Sequence, residues 1–596
     1  MKSDNLYAGK ILWVDLTSRK VWTTPTAAYA KRFLGGKGIG LWIVWEKSGL
    51  PSVDPLGPDN ALSFNSGPLT GTMMPGSGPC HVSSKSPLTG LLGMTRFGGA
   101  FAPELKYAGY DHLVIIGQAA EPVYLAIDNE EITIRSAANI WGLDTYETPK
   151  ALRKELKNEE IEWACIGQAG ERLIRFATII GNMRDSAGRT GLGAVMGSKK
   201  LKAVAVHGTG GLRVANPERF YEVCARTHDA LKVSNPYKEI THRGSPSGVD
   251  TQVGFGFAQE KNFRRNEGHQ SISCFSCPMR CMEECRTPGI GDDVVYYQWF
   301  SEMATKIGVR DMITWQKLAL CINKYGYDAV SLGDLMAWAT ELYEQGIIDE
   351  KDIGFPLAWE DGEAYLRLAE MVAKREGFGD ILAEGMMRAA RAIGRGSERY
   401  TVPIKGSPHY EQNKEVWQEL VQYFGRFAEG IAGTRLIFPK EYAGKAETIA
   451  YAEDAIGRAD ILGTCKWHTE FNAMPVTADV HAEVLSIGLG KKITADELSI
   501  YQQRVRQLER AFDCREGLRR QHDNLPDQYF ADLGPDSRFE GTAVDRGKFE
   551  EMKDRYYQLR GWDMTTGVPN RATLKSFGLK DVADELERRG IMRGLP

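Results

Sequence analysis

The segment Cys274-Phe-Ser-Cys277-Pro-Met-Arg-Cys281 constrains this chain more than any other stretch. Three thiols spaced by two and three residues can hold three corners of one inorganic cluster only if the backbone wraps around it. The fold must then deliver a fourth ligand from elsewhere. Zinc also takes four thiolates and is the structural alternative, but zinc motifs more often pair two Cys-x2-Cys knuckles, and no second knuckle is present. Cys285 follows Cys281 at helical spacing and is either a further ligand or a bystander. The plain reading of a cysteine in a reducing compartment is a buried small hydrophobe. It is the third reading for this group and the default for Cys80, Cys165, Cys224 and Cys321, because ten cysteines in 596 residues is not disulfide density.

The fourth ligand should lie in a distant loop, and the candidates are Cys465 and Cys514. Cys514 falls within QLERAFDCREGLRR, whose apolar spacing is strongly helical, so packing is its expected role. Cys465 closes the hexapeptide Asp460-Ile-Leu-Gly463-Thr-Cys465. A glycine there ends a helix in a left-handed turn and presents the following side chains. A related hexapeptide, Asn323-Lys-Tyr-Gly326-Tyr-Asp328, stands earlier. Two helix ends of similar chemistry suit two similar halves of a ligand; the plain alternative is a pair of ordinary helix C-caps.

Up to about residue 208 the chain is rich in glycine and β-branched residues. KILWVDL, HLVIIG, VYLAID, EITIRS and LKAVAVHG read as strands, with AYAKRFLGGKG and ALRKELKNEE as short helices. Asn216 followed by Pro217 reads as the cap and first turn of a helix leaving this domain. Beyond it the apolar spacing is helical, as in WQKLALCINKYGYDAVSLGDLMAWATELYEQG and EAYLRLAEMVAKREG. The fold class expected is α+β: a β-rich domain over residues 1–208, a helical domain over 209–400 carrying the cysteine run, and a helical domain over 401–596 carrying the fourth cysteine. The break near 400 is set by RYTVPIKGSPHY. No repeat of 20–50 residues is visible.

Three glycine-rich segments carry Gly35–Gly38, Gly98–Gly99 with Glu104, and Arg184, Arg189, Gly191, Gly193 and Gly197. Missing side chains let backbone amides approach an anionic or heteroaromatic ligand, and arginines pair with its phosphates. None fits a P-loop or clearly fits a dinucleotide fingerprint.

Taken together, the opening ILWVDLT, FLGGKG, the block Gly98-Gly99…Pro103-Glu-Leu-Lys-Tyr-Ala-Gly-Tyr-Asp111, Gly-Leu-Gly-Ala-Val-Met-Gly-Ser-Lys, the cysteine run and the two hexapeptides resemble the tungsten-containing aldehyde:ferredoxin oxidoreductase family over essentially the whole chain. The resemblance implies a β-rich base for a tungsten–bispterin cofactor (a molybdopterin-type group, with molybdenum as the rarer metal), covered by two helical domains. It implies one 4Fe-4S cluster held by Cys274, Cys277, Cys281 and Cys465. Asn323, Asp328, Asp460 and Gly463 would hold the pterins. Gly98, Gly99, Arg184, Arg189, Gly191 and Gly193 would line the pterins and their phosphates, where Mg2+ also fits. Electron exchange with ferredoxin or an iron-sulfur partner subunit, a small-molecule substrate and an oligomeric assembly follow from the same likeness.

The sequence also departs from the family. Asn323 stands where the family usually has aspartate, and Ser77-Gly78-Pro79 lacks a phosphate arginine. Gln298 occupies the place of the aldehyde branch's glutamate, and a glutamine cannot act as a general base. Glu302 and His409 are the nearest replacements for the acid–base roles, with His242 and His468 as others. FAPELKYAGYDHLVI, LERAFDCREGLRR and RYYQLRGWDMTTGVPNRATLKSFGL are similar to the catalytic subunit of class II benzoyl-coenzyme A reductase. That branch's metal-ligating cysteine has no counterpart at Gln298 or Trp299. The expected activity is aldehyde oxidation. Reduction of an aromatic or enoyl coenzyme A thioester is the alternative, and a non-catalytic electron-transfer subunit the third.

A net charge of −4 without a basic stripe argues against nucleic acid. The amino terminus lacks a secretory signal and no apolar run approaches the ~20 residues of a membrane span, so a cytoplasmic location without direct membrane insertion is expected.

Overall fold

The computed structural model describes residues 5–48, 53–182, 185–243, 269–287, 289–295, 303–304, 306–309, 311–401, 442–525, 527–530 and 544–592. Its first part is built on two six-stranded sheets. The first sheet contains β1 (Lys10–Asp15), β2 (Lys20–Pro25), β3 (Leu62–Asn65), β4 (Cys80–Lys85), β5 (Leu92–Phe97) and β6 (His112–Ile116). The second contains β7 (Val123–Asp128), β8 (Glu131–Ser136), β9 (Glu162–Cys165), β10 (Ile179–Gly181), β11 (Ser186–Ala187) and β12 (Leu201–His207). The five strands read from sequence correspond to β1, β6, β7, β8 and β12.

The sheets run β2-β1-β6-β3-β4-β5 and β8-β7-β12-β9-β10-β11. In each, the pair formed by the first and last strands of the unit is parallel and every other pair antiparallel. Helices fall at matching places: Gly36–Lys47 and Glu147–Leu156 lie before the third strand of each unit, Phe101–Tyr107 and Leu192–Ser198 before the sixth. The domain is therefore one βα unit used twice, a duplication with a period too long to register as a sequence repeat. Leu12, Phe64, Val82 and Phe97 of the first sheet share one buried core with Leu125, Ile179 and Val204 of the second. Burying both faces accounts for strands such as Leu201–His207, whose Ala203–Val206 run is apolar without alternation and whose Lys202 is buried in an ion pair with Glu171.

Helices follow. Met312–Tyr325 is capped by the Asp311 carboxylate and ends at Gly326, whose φ of 79° is left-handed. Ala329–Glu344 then starts from Asp328, so the long helical pattern seen in sequence is two helices broken at the hexapeptide. Trp315, Leu318, Ile322, Trp338, Tyr365 and Leu368 form their core, which reaches Ile174 and Phe176 of the β-rich part. The later helices include Lys445–Leu462, Ala478–Leu489, Ala495–Arg515 and Arg546–Arg560. Asn216 accepts from the Arg219 amide with Pro217 at the first turn, as its sequence required. Lys445–Leu462 carries Glu453, Arg458 and Asp460 into the interior. Each is ion-paired there, to Arg506 and Arg560, to Glu470, and to Arg96 respectively, because an unpaired buried charge is strongly destabilising. Among the described residues no helix is long and apolar enough to cross a membrane.

Candidate cluster and cofactor site

The cysteine run forms a tight loop. Cys277 N–H donates to the Cys274 carbonyl at 3.1 Å, and Ser276 and Arg280 adopt left-handed backbone conformations that fold the loop back on itself. Cys285 lies not on a helix but on the strand Met282–Thr287, which pairs with His269–Ile272 and Gly291–Val295. Its helical spacing from Cys281 has no structural counterpart.

Cys465 reaches the loop through a turn of the β-rich part. Gly76 donates its N–H to the Ser276 carbonyl at 2.8 Å, and its carbonyl accepts from the Cys465 N–H at 2.8 Å. Gly76 has φ +71°, and a Cβ there would lie 2.5 Å from the His468 ring and 3.0 Å from Cys465 Cβ. Only glycine allows this two-sided bridge. Gly98 plays a similar part on the far side: a Cβ on it would lie 2.3 Å from Cys274 Sγ. Cys514, by contrast, is fully buried in Ala495–Arg515 with its thiol against the Gly567 carbonyl.

Burial raises all four thiols, and Cys465 acts in turn on the other three: Cys277 is pushed up to about 12 by burial and then by Cys465, while burial, Asp185 and Cys277 act most on Cys274. Four thiolates so placed would need a cationic guest to stabilise them. Among the described residues no three His, Cys, Asp or Glu side chains converge on a position for a single ion. Zinc would bring each sulfur to about 2.3 Å from one point; a cubane would give each thiolate its own corner. Backbone N–H groups of Met279 and Arg280 reach Cys277, and that of Trp467 reaches Cys465. His468 is held by Nδ1 against the Pro75 carbonyl at 3.1 Å with Nε2 3.5 Å from Cys277 Sγ. It therefore faces the cysteine group rather than an open cavity.

Five residues before Cys465, Asp460 lines a polar cleft. Lys37, His81, Arg96, Lys466 and Glu509 stand around the same cleft. Arg96 Nη1 donates to Asp460 Oδ1 at 2.8 Å and Lys37 Nζ lies 3.7 Å from Oδ2. Burial pushes the Asp460 carboxyl up; Arg96, Lys37 and Lys466 outweigh it, together with His81 at the acidic pH where that ring is charged, and the carboxylate stays below its ordinary value. A permanently ionised acceptor set among cations suits the amino and ring N–H donors of a pterin. Gly36 and Gly67 pack directly on this helix end: Cβ atoms there would meet the Asp460 carbonyl at 2.1 Å and Leu462 at 2.1 Å. Gly463 is left-handed at φ 76° and closes against Thr70.

The other hexapeptide repeats this contact in the second unit. Gly167 packs on Tyr325, with a Cβ 2.2 Å from its carbonyl, and Thr178 donates to the Gly326 carbonyl as Leu69 does to that of Leu462. Asn323 and Asp328 are buried there. Asp328 Oδ2 caps the next helix through Ser331 N at 2.8 Å, and Oδ1 faces Gly188. Gly99 packs on Asn182, Gly191 on the Arg175 carbonyl and Gly193 on that of Thr178. Their missing side chains make room for these protein atoms. Arg189 is buried in a left-handed conformation beside them. Arg184, Gln298, Glu302 and His409 lie outside the described residues. Sequence reasoning did not single out Lys37, His81, Arg96 or Glu509. The pairing of β4 with β5, which sets His81 opposite Arg96, is visible only in the fold.

Two family descriptions match the chain: aldehyde ferredoxin oxidoreductase, N-terminal domain, over residues 11–208, and aldehyde ferredoxin oxidoreductase, domains 2 and 3, over 222–579. The tungsten-containing aldehyde ferredoxin oxidoreductase of Pyrococcus abyssi is 33% identical, the match covering 96% of this chain and 99% of that protein. The aliphatic sulfonate oxidoreductase, WOR-like subunit, of Pyrococcus furiosus is 29% identical over 98% of each. Among solved structures, the active site complex BamBC of benzoyl coenzyme A reductase with 1,5-dienoyl-CoA superposes with a TM-score of 0.87 at 27% identity, covering 99% of this chain and 100% of that one. Both halves of the chain and its full length being matched, it belongs to the aldehyde ferredoxin oxidoreductase family and is an oxidoreductase.

Proposed function

We propose that this enzyme holds a tungsten–bispterin centre beside a 4Fe-4S cluster, and oxidises an aldehyde to a carboxylic acid while passing electrons to ferredoxin or a partner subunit. The observation that carries the reading is the joint at 460–465: one helix end turns Asp460 toward a polar cleft and Cys465 toward Cys274, Cys277 and Cys281. The two sites thus share the two ends of one hexapeptide. Asp460 binds the pterin's N–H edge with Arg96 and Lys37 fixing its charge, and Asn323 with Asp328 serves the second pterin. The four cysteines hold the cluster, and N–H groups on their sulfurs tune its potential.

When bound, the tungsten centre supplies two-electron chemistry that the cluster carries away one electron at a time. Oxidation of an aldehyde takes up one water and releases two electrons and two protons, so a proton acceptor is required; Glu302 and His409 are its candidates. Reduction of an aromatic or enoyl coenzyme A thioester is the second reading, favoured by the likeness to the BamBC complex over the whole chain. The WOR-like subunit and BamBC names support a partner subunit.

Tungsten, iron and pterin content of anaerobically purified protein tests the core of this reading. Zinc with no tungsten, molybdenum or iron would sink it, and a cluster without pterin is the result expected of an electron-transfer subunit alone. Viologen-coupled assays on aldehydes and on aromatic acyl thioesters separate the two chemistries.

A further inference from the structure

We propose that His81 is a direct contact of the pterin at Asp460, meeting its polar edge through Nε2. The inference rests on the pterin-binding reading above and assigns a residue to it. His81 lies on β4, directly opposite Arg96 on β5, and residues paired this way project from the same face of a sheet. Both line the cleft with Asp460. Arg96 has its partner there at 2.8 Å. The His81 Nε2 has none among the described residues: it is buried, makes no hydrogen bond to them, and stands 3.8 Å from Asp460 Oδ1, beyond hydrogen-bond range. Buried polar atoms are nearly always satisfied, and one left open on a cleft wall marks where a ligand atom belongs.

The chemistry agrees. Burial holds the His81 ring down at about 4, so the ring is neutral at ordinary pH and Nε2 gives or takes one hydrogen bond according to tautomer. Lys37 and Arg96 already compensate Asp460. A further cation would repel them, whereas a neutral ring adds a directional contact without charge. A pterin edge carries donors and acceptors side by side, so it can meet a carboxylate and an imidazole at once.

Glutamine places a polar atom near the position of Nε2, and asparagine is too short to do so. Full-length wild type, His81→Gln and His81→Asn are purified anaerobically, and pterin, tungsten and iron per chain are followed through timed dialysis. Loss of pterin and tungsten is expected to be roughly tenfold faster in His81→Asn, near wild type in His81→Gln, with iron unchanged in both. Equal retention in all three proteins overturns the contact alone. Equal loss from both variants, or loss accompanied by iron, assigns His81 a structural role and overturns it too. A wild type that carries no pterin refutes the functional reading itself.

Discussion

At the scale of single residues, the two candidate fourth ligands are separated by environment. Cys465 is tied to the cysteine loop through Gly76, and Cys514 is packed inside a helix. Cys465→Ser is expected to drop iron well below the about four atoms per chain of one cluster, while Cys514→Ser keeps its iron and loses only a little stability; iron analysis of anaerobic protein reads both. The buried pair of Arg510 and Asp523 makes the opposite point, that not every polar interior group is functional. Its oxygens and nitrogens meet at 2.5 and 3.1 Å with neither side chain exposed. Asp523→Ala leaves a guanidinium buried beside its vacancy and should cost about 3–5 kcal/mol, read as a shift of the urea midpoint.

At the scale of elements, the duplicated β-rich unit offers each helix end a glycine. Gly67 and Gly167 occupy equivalent roles against Leu462 and Tyr325. Adding a methyl group at either forces backbone apart, so Gly67→Ala and Gly167→Ala are each expected to lose about 1–3 kcal/mol. Gly211→Ala, which meets nothing within 4 Å, should stay within about 0.5 kcal/mol. Equal melting temperatures for all three would show that the helix ends do not depend on these contacts. The asymmetry between the two halves lies in the polar groups: Asp460 is surrounded by cations, while Asp328 also serves as a helix cap.

At the scale of the whole molecule, burial of neutral histidines makes the fold acid-sensitive. Burial drives His112 down to about 3 and His81 to about 4. Below the ordinary value of about 6.5 the unfolded chain takes up protons that the folded one refuses. Stability therefore falls as pH drops from about 6.5 toward the folded values, by up to roughly 1.4 kcal/mol per pH unit for each ring. Glu162, held up to about 7 by burial, works in the opposite direction over part of that window. The slope is thus best read as a difference: urea midpoints between pH 7 and 5 should fall less steeply in His112→Gln than in wild type. Parallel slopes would remove His112 from the account.

The sequence by itself determined what short-range rules control. Helical spacing followed by glycine placed the turns at Gly326 and Gly463. Asn216 before Pro217 placed a cap. The cysteine spacing read as a loop and the setting of Cys514 as helix packing, and the structure has both. Each of these depends on a few neighbouring residues, so each can be read along the chain. Tertiary structure alone decided the rest. The duplication of the β-rich unit lies in strand order, which sidesteps residue identity. Arg96 comes to Asp460 across 364 residues, and His81 arrives beside it because β4 pairs with β5. The glycine segments show the same division: their glycines were legible as places of close approach, but the fold chose what approaches, and at Gly191 and Gly193 it is backbone. Contacts over such separations follow from how sheets and helices bury their apolar faces, a property of the whole packed chain and of no local stretch within it.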